Sequence, residues 1–277
     1  MRFLFSTPRS ISALKSAASK LRKASEGLKQ TDALNQAAVA AGFANYTHAQ
    51  RILPEVMPAL TLVCAWREGA ARGIEQLKYP MPWSAAEIAG MKLKAGRIAS
   101  FVDFEGELDC NTPATSQESA RYWLVQALRE LMVMEATGLR PVRVSGKVPF
   151  TREVWSGIRY NEPSTPPGED HLSAWQDPVT RDVLLMDEPY LDKGLPHPRA
   201  ADRAVWCKKY GYEELNSTWG GTYLPPRSNL FMLARKVRGR GIDLAAIEEK
   251  LSTLPDDFGS TDEDWKGVSL SPERMLS

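Results

Sequence analysis

Apolar side chains recur at helical spacing near the start of the chain, at Ile11, Leu14, Ala18, Leu21 and Leu28, with Lys15, Lys20, Arg22 and Lys23 off that stripe. The pattern predicts a first helix, with Thr7 as its cap, Pro8 in its first turn and Gly27 at its end. A second helix starts after Thr31 and runs through Ala33, Leu34, Ala37, Ala38 and Ala41, and Gly42 suits a left-handed close. Asn45 caps a third helix over 46–53, which Pro54 stops. A helix with one apolar stripe must bury it, here against its own neighbours or against a partner chain.

Farther along, the pattern is mixed. Residues 55–96 read as a connector, helical in part between Ala65 and Leu77, broken by Tyr79-Pro80-Met81-Pro82-Trp83 and followed by a short helix capped by Ser84 and Glu87. Residues 98–104 read as a strand, 116–137 as a long helix closed by Gly138, and 141–148 as a second strand with Val142, Val144 and Val148 in alternation. A loop over 161–169 precedes a hairpin, 172–175 and 182–186, with its turn at 176–180. A helix over 200–209, a strand over 230–234 and a helix over 243–254 follow, and 261–277 reads as frayed. These elements predict an α+β fold, a small N-terminal helical bundle followed by a mixed, mainly antiparallel sheet with helices packed on it. The expected divisions are a helical module (1–54), the connector (55–96), an α+β body (97–258) and a tail (259–277).

Composition sharpens this outline. The chain has 277 residues, 43% hydrophobic and 25% charged, which excludes bulk disorder. No stretch approaches the roughly 20 apolar residues of a membrane span, and the apolar patch Phe3-Leu4-Phe5 is shorter than a secretory signal needs. The expectation is a cytoplasmic protein with no membrane partner. Cys64, Cys110 and Cys207 form no CxxC pair, so the expectation is three reduced thiols packed as small hydrophobes. The overall net charge of +1 hides an asymmetry. Residues 1–53 carry +6 and the remainder −5, which points to a polyanionic or protein partner for the basic module.

Ala38 and Gly42 have the spacing of a helix-turn-helix. The stretch Ala41-Gly42-Phe43-Ala44-Asn45-Tyr46-Thr47-His48-Ala49-Gln50-Arg51-Ile52-Leu53 resembles the second helix-turn-helix of AraC-type regulators, although Ala49 stands where those proteins usually have Phe. That resemblance implies Asn45, Thr47, His48 and Gln50 facing a groove, with Arg51 and Lys29 on phosphates. The longer stretch from Lys20 to Leu53, with Ala33-Leu34, Ala37, Gly42-Phe43, Tyr46 and Ala49-Gln50, also resembles a helical motif of an uncharacterised family of plasmid and integrative-element proteins, some labelled glyoxalase-like. The candidate nucleic-acid-binding residues are therefore Lys15, Lys20, Arg22, Lys23, Lys29, Asn45, Thr47, Gln50 and Arg51. The alternative is structural, with Gly42 closing a helix, Phe43 and Tyr46 in a core and the basic residues solvating a face.

A second candidate lies at the open end of the hairpin, where His171 faces Asp187 and Glu188. One imidazole and two carboxylates suit a facial metal site or an acid–base pair; the competing reading buries His171 and Trp175 and lets Asp187 cap a turn. A third is the alternation Asp103, Glu105, Glu107, Asp109, read as the solvated face of one strand with Val102, Phe104 and Leu108 inward. No phosphate loop, dinucleotide fingerprint, GxSxG or HExxH is present. The sequence thus reads as a non-catalytic accessory protein of a mobile element, its module binding nucleic acid or a partner protein, with no cofactor. The alternatives are a metal-assisted hydrolase using His171, Asp187 and Glu188, and a protein–protein adaptor.

Overall fold

The computed structural model describes residues 8–25, 27–143, 165–192, 194–223, 229–235, 241–255 and 264–271. The fold is α+β, with an N-terminal helical region and two mainly antiparallel five-stranded sheets. The chain divides into two compact units, residues 1–60 with 78–84 and residues 61–77 with 85–277. No described helix is long and apolar enough to cross a membrane.

The first unit is built on α1 (Ile11–Ala24), α2 (Gln30–Ala40) and α3 (Tyr46–Ile52). Ser10, rather than Thr7, caps α1, its hydroxyl accepting from the Ala13 amide at 3.2 Å. The stripe turns onto its own neighbours: Ile11, Leu14, Ala17 and Ala18 pack with Ala33, Ala37, Ala38 and Ala49, and Leu21 and Leu28 lie at the margin. Six alanines in this core let the helices approach closely without long side chains between them. Two chain-crossing bonds close the unit, from the Ile11 amide to the Pro54 carbonyl and from the Ser12 amide to the Glu55 carbonyl, both at 2.9 Å. They satisfy donors that a helix N-terminus otherwise leaves unpaired.

The expected helical connector is instead a hairpin of two long strands, β1 (Ala59–Glu68) and β2 (Ala71–Pro80), followed by α4 (Ala85–Gly90). Leu60 to Cys64 is buried at every position, so the strand shows no alternation from which its period could be read. The expected strand over 98–104 begins as a 3₁₀ turn, Arg97–Ser100, and only then becomes β3 (Phe101–Phe104). β3 turns back into β4 (Glu107–Cys110), which runs parallel to β1. The tail read as frayed supplies β10 (Val268–Leu270), paired antiparallel with β2. The first sheet therefore has the order β10-β2-β1-β4-β3.

The second sheet, in the order β5-β6-β7-β9-β8, is antiparallel throughout. It comprises β5 (Arg140–Val142), β6 (Ser173–Gln176), β7 (Val183–Asp187), β8 (Tyr212–Ser217) and β9 (Leu230–Arg235). Residues 144–148 of the strand expected over 141–148 lie outside the described residues, as do residues 161–164 of the 161–169 loop. α6 (Ala200–Tyr210) lays Trp206 and Cys207 on Ala174, Leu185 and Leu233 of this sheet. α7 (Leu244–Leu251) is capped by the Asp243 carboxylate.

The centre of the second unit is α5 (Gln117–Thr137), capped by Ser116 and closed by Gly138 in the left-handed region. Twelve of its residues are buried, too many for one amphipathic stripe, and three of these carry charge: Arg121, Arg129 and Glu130. Each is bonded to a different piece of the fold. Arg121 pairs with buried Glu75 of β2 at 3.1 Å. Arg129 donates to the Gly221 carbonyl and lies over the Trp219 ring. Glu130 accepts from the Arg97 and Ile98 amides, both at 2.8 Å, holding the entry to β3.

Candidate functional site

In the first unit, α2 ends in two bonds characteristic of a Schellman close. The Gly42 amide donates to the Val39 carbonyl at 3.0 Å and the Phe43 amide to the Ala38 carbonyl at 2.9 Å. Gly42 has φ +87°, a conformation that costs an L side chain strain, which accounts for glycine here. The chain then enters α3 through Asn45, whose Oδ1 accepts from the His48 amide at 2.8 Å. His48 Nδ1 accepts from the Ala44 amide at 3.2 Å, so its ring proton sits on Nε2. Asn35 of α2 reaches across to the Tyr46 amide at 3.0 Å, tying the two helices at their junction. Ala49 is the buried contact of α3; the missing bulk, relative to Phe, is what allows this close approach.

The structure turns Lys15, Lys20, Arg22, Lys23, Lys29, Asn45, Thr47, Gln50 and Arg51 all to the exterior of this unit. Their engagements differ. Lys15 is paired with Glu55, which lifts its pKa above the ordinary lysine value through that hydrogen bond. Arg22 donates to Gln30 at 2.7 Å. The Asn45 acceptor is spent on capping, which leaves its amide group as the outward donor. His48 is likewise occupied by its own turn.

At the second candidate, the hairpin forms in the expected place, with Ser173 opposite Met186 and Gln176 opposite Val183. The open end is fastened by the Glu188 amide on the Asp170 carbonyl at 3.0 Å and by the Asp170 amide on Asp187 Oδ1 at 2.7 Å. The two carboxylates are both fully buried, yet they serve different partners. Asp187 Oδ2 receives Arg203 of α6 at 2.7 Å and lies 4.0 Å from His197 Nε2. Glu188 accepts from the Thr222 hydroxyl at 2.8 Å and the Tyr223 amide at 2.7 Å. Gly221, at φ +77°, passes so close to Glu188 that a Cβ there would collide with the carboxylate.

His171 joins neither carboxylate. Its ring stacks on Tyr223 at 3.8 Å and meets Tyr190 edge-on at 4.7 Å, with its backbone at φ +52°. Among the described residues, no group of three or more His, Cys, Asp or Glu side chains is arranged to hold a metal ion. The three expected residues therefore meet at the open end of the hairpin, but their side chains take different partners. Trp175 is buried and Asp187 secures a loop amide.

Electrostatics follow burial. The Asp187 carboxyl is pushed up to about 6 by loss of water, although the Asp170 amide and Arg203 both oppose the shift. His197, buried beside it, is held below the ordinary histidine value by burial and by the Arg203 charge. Glu130 is pushed up to about 7 by burial, against the pull of its two backbone donors. Arg203 also donates through Nε to Glu214 at 2.8 Å, so one guanidinium serves two carboxylates. Arg203 and the half-buried Glu214 carry no local mark of their role, whereas Glu130 directly precedes the apolar run Leu131–Met134, a signal that could have marked it as buried.

The acidic quartet does not share a strand. Glu105 and Gly106, at φ +50° and +85°, make a hairpin turn between β3 and β4. The register sets Phe104 opposite Glu107 and Val102 opposite Asp109, so those four share one face, while Asp103 lies opposite Leu108 on the other. Val102 and Phe104, expected inward, are exposed; Phe101, Leu108 and Cys110 point into the core. Comparison of the chain with protein-family models, curated proteins and solved structures gives no match.

Proposed function

We propose that the chain is a non-catalytic accessory protein of a mobile genetic element, working in the cytoplasm, whose first unit binds nucleic acid. The supporting observation is the distribution of charge on a self-contained module. Its apolar stripe is consumed internally, and Lys20, Arg22, Lys23, Lys29 and Arg51 are left exposed around it. A basic surface of this kind binds phosphates by releasing condensed counterions, which needs no particular base sequence. The local likeness of residues 41–53 to AraC-type regulators, and of 20–53 to plasmid and integrative-element proteins, agrees with this reading. Of the α3 side chains, Thr47, Gln50 and Arg51 are those available to a groove; Asn45 and His48 are largely engaged in the turn.

The experiment is a salt titration of the full chain with fluorescent duplex and single-stranded oligonucleotides. The expected result is affinity whose logarithm falls by ~0.9 per phosphate contact for each decade of salt. Absent binding, or a salt slope unchanged after Lys20, Arg22 and Lys23 are together replaced by Gln, defeats the proposal. In the metal-hydrolase alternative Asp187 and Glu188 would have to exchange protein donors for an ion, since each carboxylate oxygen already accepts from one.

A further inference from the structure

The parallel strands β1 and β4 are aligned with Leu62 beside Leu108 and Val63 beside Asp109. One residue farther, the same register brings Cys64 beside Cys110. Paired residues of adjacent parallel strands project to the same face, with backbones about 4.8 Å apart. That separation lies inside the Cα–Cα range of roughly 4.4–6.8 Å that a disulfide spans. That register sets the two thiols side by side, and the Cys64 thiol donates to the Ala65 carbonyl at 3.4 Å. We propose that Cys64 and Cys110 are a site of reversible disulfide formation, closed by a small disulfide oxidant of the glutathione type.

The two thiols are chemically unequal. Cys110 ends β4 and is 7% exposed, whereas Cys64 is fully buried in mid-strand. The neighbouring Cys64 thiol, the Thr112 amide and the Arg97 charge together lower the Cys110 thiol to about 7, against the opposing effect of burial. Cys64 is pushed well above the ordinary thiol range by the neighbouring Cys110 and by burial. The order of events follows. The Cys110 thiolate attacks one sulfur of the oxidant, whose S–S bond breaks and releases one thiolate, leaving a mixed disulfide on Cys110. Cys64 then loses its proton and attacks the Cys110 sulfur, expelling the second thiolate. In sum, two protein thiols lose two protons and two electrons, and one oxidant molecule becomes two thiols. Cys207 takes no part; it lies on α6 against Ala174, Leu185 and Leu233 of the second sheet, with its thiol pushed up to about 11 by burial.

The bond would join the two hairpins of the first sheet, β1–β2 and β3–β4, across the one parallel pairing that connects them. Bridging paired positions of a parallel ladder draws the side chains closer than the ladder alone does. A disulfide under such strain is easily reduced, which suits a reversible bond rather than a permanent staple.

The experiment exposes the native full chain to glutathione disulfide, alkylates remaining thiols in denaturant and maps peptides by mass without reduction. The expected product links the Cys64 and Cys110 peptides, is lighter than the pair by two hydrogen atoms, and leaves Cys207 fully alkylated. Titration against the ratio of reduced to oxidised glutathione should show a single two-electron transition that a dithiol reverses. Cys64→Ser should trap glutathione on Cys110, and Cys207→Ser should leave the linked product intact, which keeps the test valid if Cys64→Ser fails to fold. Alkylation of all three cysteines after oxidation, a glutathione adduct persisting on Cys110 of the unmutated chain, or any link to Cys207 overturns the proposal.

Discussion

Arg203 on α6 donates through Nη1 to the Asp187 carboxylate at the end of β7, at 2.7 Å, with both side chains almost wholly withdrawn from water. A buried pair is costly to break on one side only, because the survivor keeps its charge without its partner. Arg203→Met is therefore expected to destabilise the fold by about 3–5 kcal/mol. Adding Asp187→Asn should recover part of that loss. Urea denaturation of the two single variants and the double variant gives the coupling; strictly additive losses would show that the pair does not act as a unit.

Glu130 gives the fold a pH dependence of known sign. Its carboxyl rises from 4.5 unfolded to about 7 folded, so between those values the native state holds a proton that the unfolded chain has released. Stability is then highest below about pH 4.5 for this group, and falls as pH rises through about 7. Glu130→Gln should be less stable than the parent, since one of its two backbone donors would face an amide N–H. It should also remove this part of the slope. The part contributed by Asp187, pushed to about 6, remains. Thermal midpoints across pH 4–8 check the difference, and parallel profiles for parent and variant would exclude Glu130 as its source.

The small-residue packing of the first unit predicts two unequal responses. Gly42→Ala meets no neighbour within 4 Å, so its cost is the left-handed backbone alone, about 1–2 kcal/mol. Ala49→Leu instead forces three carbons into a closed contact between α3 and α2, costing about 1–3 kcal/mol by overpacking. Hydrogen exchange of the amides in residues 30–52 localises either loss to this unit.

Charge and groove contacts should separate in binding. Replacing Lys20, Arg22 and Lys23 by Gln should weaken nucleic-acid binding similarly for all sequences, and flatten the salt slope by ~0.9 per lost contact. Thr47→Ala with Gln50→Ala should leave the slope unchanged and affect only preference between sequences. Competition between oligonucleotides of differing sequence distinguishes the two effects. A slope altered by the α3 pair would contradict this division.

The sequence made the first unit legible because its signals are local. Gly42, Asn45 and Pro54 each act within one turn, and the alanine spacing reports a helix directly. The hairpin ending at Asp187 was legible for the same reason. The first sheet was not. Leu60 to Cys64 is buried on both faces, which erases the period of two, and the continuous alternation from Asp103 to Asp109 concealed the Glu105-Gly106 turn. The candidate chemistry failed at longer range. Whether Asp187 and Glu188 meet an ion or a protein donor depends on Arg203 and Thr222, which tertiary structure alone delivers. The Cys64–Cys110 contact is likewise a product of strand order and not of spacing.

The outer strand of the first sheet arrives late. Ser269 of β10 bonds to Glu75 of β2 across 194 residues, completing a cluster in which Gln117 and Arg121 also hold that buried carboxylate. During synthesis β2 thus leaves the ribosome long before its neighbour exists, with one edge of backbone donors and acceptors uncovered. Through that interval the nascent chain presents a ready template for strand addition. Docking of three residues, Val268–Leu270, is what covers that edge.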